Sequence, residues 1–214
     1  YISYFYPPFN TIGGMRSYGQ VQALLDLGCD VKVISCSSQG FEINEDFDQQ
    51  SLKNVILKGV KTFPAQLKNI DLSKNYYRDR IKKIVLRAFP KSFLRIIYLL
   101  RTLIFFGRDD PKWTRNVLKD YDKDLGNWTP DIVFSTFSPI DSHIIASKIS
   151  RDLDIPWVAE YRDCWSFNTM LFSTSENELS SRILRTIERS ILSNCSVIFA
   201  ATPFIQSYYG KHFS

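Results

Sequence analysis

Short apolar runs rich in aromatic and β-branched residues alternate along the chain with longer stretches whose apolar positions recur every three to four residues. The runs Tyr1–Tyr6, Asp30–Ser35, Asn54–Thr62, Pro130–Ser135, Ile155–Tyr161 and Ser196–Ala200 predict strands. Proline supplies no ladder donor, so Pro7-Pro8 closes the first run and Phe63-Pro64 the third. Between the strands the period lengthens. Val21, Leu24, Leu25 and Leu27 share a broad face of a helix that starts at about Met15 and stops at Gly28. Trp113, Val117, Leu118, Tyr121 and Leu125 mark a second over Asp110–Asn127, with Pro111 in its first turn. Asp141 is an N-cap candidate for a helix carrying Ile144, Ile145, Ala146 and Ile149. Glu176–Leu192 turns Leu179, Ile183, Leu184, Ile187 and Ile191 inward, and Pro203 opens a last helix at about Thr202.

Strand, helix and strand joined by short links imply right-handed parallel βαβ units. Their repetition predicts an α/β fold with a doubly wound, Rossmann-like parallel sheet in one domain. Ligands of such sheets bind in the crevice beyond the carboxyl ends of the strands. Three polar loops are expected to converge there: Gly13–Arg16, Ser138–His143 and Arg162–Trp165.

Each loop carries candidate chemistry beside an ordinary structural alternative. Gly13-Gly14, placed as a turn before the first helix, lets the backbone take positive φ or approach another group with no Cβ in the way. N–H groups at the helix start attract anions, and Arg16 adds a fixed positive charge; a plain strand-to-helix turn is the alternative. Arg162-Asp163 sets a guanidinium beside a carboxylate, suited to a phosphate on one side and a sugar hydroxyl on the other, or to a structural ion pair. Asp163 accepts from hydroxyls or acts as a base. Ser138 is a substrate- or phosphate-binding candidate or, like Ser142, a cap, and His143, a lone helical histidine, is a binding or a core residue.

Other chemistries lack their spacing. Gly13-Gly14-Met15-Arg16-Ser17-Tyr18-Gly19 is not a dinucleotide fingerprint, and the second strand ends in Ser35-Cys36-Ser37 with no acid. No His or Cys cluster has metal-ligand spacing, and no Ser-His-Asp or Cys-His set suggests hydrolysis.

Composition changes the picture in one segment. The 214 residues are 44% apolar and 14% aromatic, which excludes general disorder, and the net charge is +5. From Lys74 to Arg115 there are 12 Lys and Arg against 3 Asp and Glu, so this stretch alone makes the chain basic. Within it, Ile81, Ile84, Val85 and Ala88 lie among Arg80, Lys82, Lys83 and Arg87, Pro90 interrupts, and Phe93–Phe106 is apolar apart from Arg95, Tyr98, Arg101 and Thr102. The run is shorter than the about 20 residues a helix needs to cross a bilayer. It reads either as helices lying in an anionic membrane surface through Arg80, Lys82, Lys83, Arg87, Arg95 and Arg101, or as core helices with solvated basic faces. Nucleic acid is disfavoured because no reading motif accompanies the charge. Four cysteines without CxxC spacing are expected to be reduced thiols of a cytoplasmic protein, and the sequons at Asn127 and Asn194 are read as chance. A chain that begins at Tyr1, already inside a strand pattern, is expected to be a piece of a longer protein.

Several of these stretches, in order, resemble a known family. Tyr4-Phe5-Tyr6-Pro7-Pro8 with Gly13-Gly14-Met15-Arg16, then Leu27-Gly28-Cys29-Asp30-Val31-Lys32-Val33-Ile34, is similar to the opening of the GT-B glycosyltransferases of family 4. Pro130-Asp131-Ile132-Val133, Ser138-Pro139 with Ser142-His143, and Ile155–Trp165 resemble the subgroup with an Arg-Asp-x-Trp motif; Glu188-Arg189 fits its closing helix. The subgroup's Pro after Arg-Asp is Cys164 in this chain. The resemblance implies one half of a GT-B architecture: residues 1–214 form the amino-terminal, acceptor-side domain, with a basic helical insertion at about 74–115. A carboxyl-terminal domain that binds a UDP- or GDP-sugar lies outside these residues, so the fragment alone is expected to be inactive. It further implies retention at the sugar, no metal or cofactor held by this domain, and a glycan or lipid-linked acceptor in cell-surface polysaccharide assembly at the inner face of the membrane. By matching position, Gly13 and Gly14 would contact donor phosphate or acceptor near the interdomain cleft, Arg16 would hold an anionic group, and Arg162 and Asp163 would line the acceptor side, with Asp163 the candidate catalyst. The reading from another class is a non-catalytic α/β domain that docks on a membrane or a partner.

Overall fold

The computed structural model describes residues 1–7, 11–36, 62–65, 100, 109–167 and 179–213. Its strands are β1 (Val33–Cys36), β2 (Thr62–Ala65), β3 (Val133–Thr136), β4 (Trp157–Tyr161) and β5 (Val197–Ala200). Its helices are α1 (Ile12–Asp26), α2 (Pro111–Leu125), α3 (Asp141–Leu153), α4 (Leu179–Ile191) and α5 (Pro203–Phe213). Every ladder is parallel: β1 pairs with β2, β3 with β4, and β4 with β5.

The first apolar run joins the two ladders. Ile2 bridges Ile34 on one side and Ser135 on the other, both in parallel sense. The Ile2 N–H donates to Phe134 O at 2.7 Å and Ser3 N–H to Ile34 O at 3.0 Å, while Ile34 N–H and Thr136 N–H donate to Tyr1 O and Ile2 O at 2.8 and 3.1 Å. The spatial order is therefore β2, β1, the Tyr1–Ser3 segment, β3, β4, β5. Chain order reverses at that central segment, which makes its carboxyl end the topological switch point.

Alternation along β1 shows helices on both faces. Val33 packs with Tyr6, Val31 and Val21 of α1, whereas Ile34 and Cys36 belong to the large cluster with Trp113, Val117, Ile145, Ile149, Trp157 and Leu184. The winding is compatible with a Rossmann-like α/β fold. Trp113 is wholly buried, takes the edge of Tyr4 at 5.0 Å and donates its indole N–H to Ser35 O at 3.2 Å. A side chain of this size inside the core stabilises the fold by at least the about 1.5–3 kcal/mol of smaller apolar residues.

Four sequence expectations change. β2 lies at Thr62–Ala65 and contains Phe63-Pro64 rather than ending there; among the described residues it pairs only with β1, and an edge strand tolerates a residue without N–H. The rest of the predicted third strand, Asn54–Lys61, lies outside the described residues. Helix α1 begins at Ile12, so Gly13 and Gly14 are its first turn and not a preceding loop; among the described residues the glycines with positive φ are Gly28 and Gly126, which end α1 and α2. Leu27 falls past the end of α1 and is exposed. Asp141 does not cap its own helix. Its buried carboxylate accepts from Asp109 N–H (2.6 Å), Asp110 N–H (2.9 Å) and Thr114 Oγ1 (2.5 Å), tying α3 to the start of α2, which Asp110 itself caps.

Among the described residues no helix is long and apolar enough to cross a membrane, and no three His, Cys, Asp or Glu are grouped to hold a metal ion. Arg80, Lys82, Lys83, Arg87, Arg95 and Arg101 lie outside the described residues. Cys29 is exposed, Cys36 and Cys164 are buried, Cys195 is half-buried, and none of the four forms a disulfide. Asn194 is wired into the core: its side chain accepts from Ser147 Oγ at 2.6 Å and donates to Ser147 O at 3.0 Å and Ser150 Oγ at 3.2 Å.

Candidate functional site at the strand ends

At the switch point α1 starts under a side-chain cap. Thr11, in extended conformation, accepts from Gly14 N–H through Oγ1 at 3.0 Å and, through its carbonyl, from Met15 N–H at 3.0 Å. Ser17 Oγ bonds back to Gly13 O at 3.0 Å and meets Ser3 Oγ at 2.8 Å, so the first turn is held to the central segment by hydroxyls.

The loop after β4 closes over that turn. A Cβ on Gly13 would stand 2.9 Å from Arg162 Nη1 and 3.5 Å from Cζ and Nη2, so the guanidinium lies directly against the glycine. Glycine is needed for this close approach, not for a left-handed backbone. The positive end of α1 and the Arg162 cation thus share one spot, an arrangement that favours an anion. Arg162 Nε is shielded and makes no hydrogen bond; Asp163 Oδ2 stands 3.6 Å away, an ion pair beyond hydrogen-bonding distance. The Asp163 side chain is 67% exposed and faces solvent.

Arg16 has a different occupation from the one its position suggests. It forms an ion pair with Glu160, whose Oε1 also accepts from Gln20 Nε2 at 2.8 Å. Glu160 is fully buried and its Oε2 has no partner. Burying a carboxylate is costly unless a cation and donors meet it, and Arg16 with Gln20 meets this one.

The third loop divides. Phe137 N–H donates to Glu160 O at 2.9 Å, which draws the β3 loop to β4 and leaves Ser138 half-buried one residue further on. His143 goes to the opposite side of the sheet. Along β4, Trp157, Ala159 and Tyr161 point to one face and Val158 and Glu160 to the other. His143 packs with the first set, its ring 4.6 Å from Tyr161 and 5.9 Å from Trp157. Trp157 Nε1 donates to Ser135 Oγ at 2.7 Å, and the same hydroxyl is hydrogen-bonded to Nδ1 of the His143 imidazole at 2.8 Å. Burial pushes its pKa down to about 3. His143 is a core residue by these contacts.

The structure therefore brings together Gly13, Gly14, Arg16, Arg162 and Asp163, with Ser138 on the adjoining loop, and leaves His143 out. Sequence reasoning missed Glu160 and Gln20. A single charge inside the apolar run Trp157–Tyr161 was the available signal for Glu160, since a carboxylate at a strand position needs a partner. Gln20 carried none. Cys164 and Trp165 turn inward from the Arg-Asp loop, and burial, with Glu188 and Asp163 nearby, raises the Cys164 thiol to about 12, which keeps it protonated and unreactive.

No family model matches this chain and no curated protein matches it.

Proposed function

We propose that this domain is the acceptor-side half of a GT-B glycosyltransferase that transfers a sugar, with retention, from a UDP- or GDP-sugar to a glycan or lipid-linked acceptor in cell-surface polysaccharide assembly. The observation that carries the reading is Arg162 against Gly13 at the switch point of a parallel sheet: a cation and a helix N-terminus directed at one place beyond the strand ends. In this reading Arg162 and the first turn of α1 neutralise a phosphate-bearing group where the leaving nucleoside diphosphate builds up charge. Asp163, exposed beside Arg162, accepts from an acceptor hydroxyl and orients it. Arg16 acts indirectly, by holding Glu160 and through it the β4 end. The donor sugar and nucleotide belong to a carboxyl-terminal domain outside these residues, no metal or cofactor is assigned to this half, and the enzyme works at the cytoplasmic face of an anionic membrane through the basic insertion.

One observation favours a non-catalytic docking domain instead. Val197 and Phe199 on β5 are 54% and 52% exposed, next to a groove of about 540 Å³ between β5 and α5 lined by Cys195, Ile198, Gln206, Tyr209 and Phe213. A transfer assay separates the two. The native gene product, incubated with a panel of UDP- and GDP-sugars and membrane extract, is expected to release nucleoside diphosphate in an acceptor-dependent way, and Arg162→Ala to abolish most of it. Absence of release with every donor, or equal release by Arg162→Ala, rejects the transferase reading.

A further inference from the structure

Glu188 is a second carboxylate placed where an apolar side chain would serve packing. It sits on α4 between Leu184 and Ile191, on the helix's inward stripe, and is fully buried. Both of its oxygens are engaged. Oε2 accepts from Ser166 Oγ at 2.5 Å and Oε1 from Tyr209 OH at 2.6 Å, while Ser166 Oγ also meets Tyr208 OH at 3.0 Å. Ser166 closes the loop that Arg162 opens, and between them Cys164 and Trp165 are buried. At the other end of that loop the Tyr161 ring packs 4.3 Å from Tyr209, and Ala201 N–H donates to Tyr161 O at 2.9 Å. Both ends of the loop are thus referred to α5, and Glu188 is the carboxyl group between the loop and that helix, its pKa raised by burial.

A carboxylate at this depth costs several kcal/mol of desolvation, which hydroxyl donors offset. A leucine would avoid that cost but would leave the Ser166, Tyr208 and Tyr209 hydroxyls short of an acceptor. The difference lies in direction. Apolar contact lets a loop slide, whereas the bond from Ser166 to a carboxyl group that Tyr209 holds from α5 fixes its height.

We propose that Glu188 is a positioning residue of the strand-end site: from inside the core it holds Ser166, and with it the Arg162–Ser166 loop, so that the Arg162 guanidinium lies against Gly13. The role in ligand binding rests on the reading of Arg162 as the anion contact; the role in loop geometry does not. Isotope-labelled full chain without ligand reports the geometry through the nuclear Overhauser cross-peak between Gly13 Hα and the Arg162 side chain. Ser166→Ala and Glu188→Ala are expected to lose most of that cross-peak with the far-ultraviolet circular dichroism of the wild type. Glu188→Gln, which still offers Tyr209 an acceptor and Ser166 a partner, is expected to keep it. Ser166→Ala leaves the core carboxylate in place and decides the matter if Glu188→Ala fails to fold. An undiminished cross-peak in Ser166→Ala overturns the proposal, as does equal loss in Glu188→Gln and Glu188→Ala. In a separate arm, inorganic pyrophosphate is expected to shift the wild-type Gly13 and Gly14 amide signals and to bind Ser166→Ala about tenfold more weakly, the order of one charge-assisted hydrogen bond. A wild type blind to pyrophosphate removes the anion reading of the site, while the ligand-free comparison still decides the role of Glu188.

Discussion

Arg16→Met takes the cation away from a carboxylate that cannot reach water. Glu160 is fully buried, its Oε2 has no partner, and after the substitution only Gln20 Nε2, at 2.8 Å, still donates to it. Removing one partner of a buried pair costs about 3–5 kcal/mol, whereas fully exposed pairs contribute about 0–1 kcal/mol. The Arg16 side chain is 35% exposed, so the pair belongs between these limits, and with the Gln20 bond retained the expected loss is about 2 kcal/mol. For a domain of this size that lowers the melting temperature by about 4–8 °C. Urea unfolding followed by fluorescence of the buried Trp113 and Trp157 is the assay, with an unchanged m-value as the check that the denatured state is the same. Adding Glu160→Gln to Arg16→Met removes the orphaned charge and is expected to recover at least half of the loss. An Arg16→Met protein within about 0.5 kcal/mol of the wild type would refute the structural assignment of Arg16 and return it to the ligand.

Gly13→Ala is expected to leave the fold intact and even stabilise α1 by up to about 1 kcal/mol, since alanine is the better helix former, while displacing the Arg162 tip and weakening pyrophosphate binding; a stable variant with wild-type binding would contradict the close approach. His143 makes stability rise with pH. Its folded pKa is about 3 against about 6.5 in the unfolded chain, so between these values the unfolded state binds more protons and protonation pulls toward it. On going from pH 7.5 to pH 5, denaturant titration is expected to show the wild type losing about 2 kcal/mol that His143→Asn does not lose. Iodoacetamide under native conditions, read by mass spectrometry, is expected to label Cys29 and spare Cys36 and Cys164; prompt labelling of Cys164 would contradict its burial and raised pKa.

The parallel α/β winding was legible because it depends on local periodicity. Trp113, Val117 and Tyr121, or Ile145, Ala146 and Ile149, are inward in the structure as their spacing requires. Element ends were less legible, since tertiary pairing decides them: β2 takes in Pro64 because it is paired on one side only among the described residues, and α1 takes in two glycines because Thr11 caps it. Residue roles that depend on distant partners left little local trace. Arg16 meets Glu160 from 144 positions away, Arg162 settles on Gly13, and Asp141 serves the neighbouring helix 31 and 32 residues upstream instead of its own. The segments after β3 and β4 begin at the carboxyl ends of their strands, whereas Gly13–Arg16 is the first turn of α1 and not a loop, and which face each side chain takes follows from strand alternation. That alternation puts His143 behind the sheet and Glu160 in front of it.

Calorimetric titration of the wild type and Arg162→Ala with inorganic pyrophosphate tests most directly whether the strand-end cleft is an anion site. Binding by the wild type that weakens at least about tenfold in Arg162→Ala, with both proteins melting at the same temperature, is the result expected from a guanidinium set against the start of α1. Equal affinity in the two proteins, or no binding by either, contradicts it.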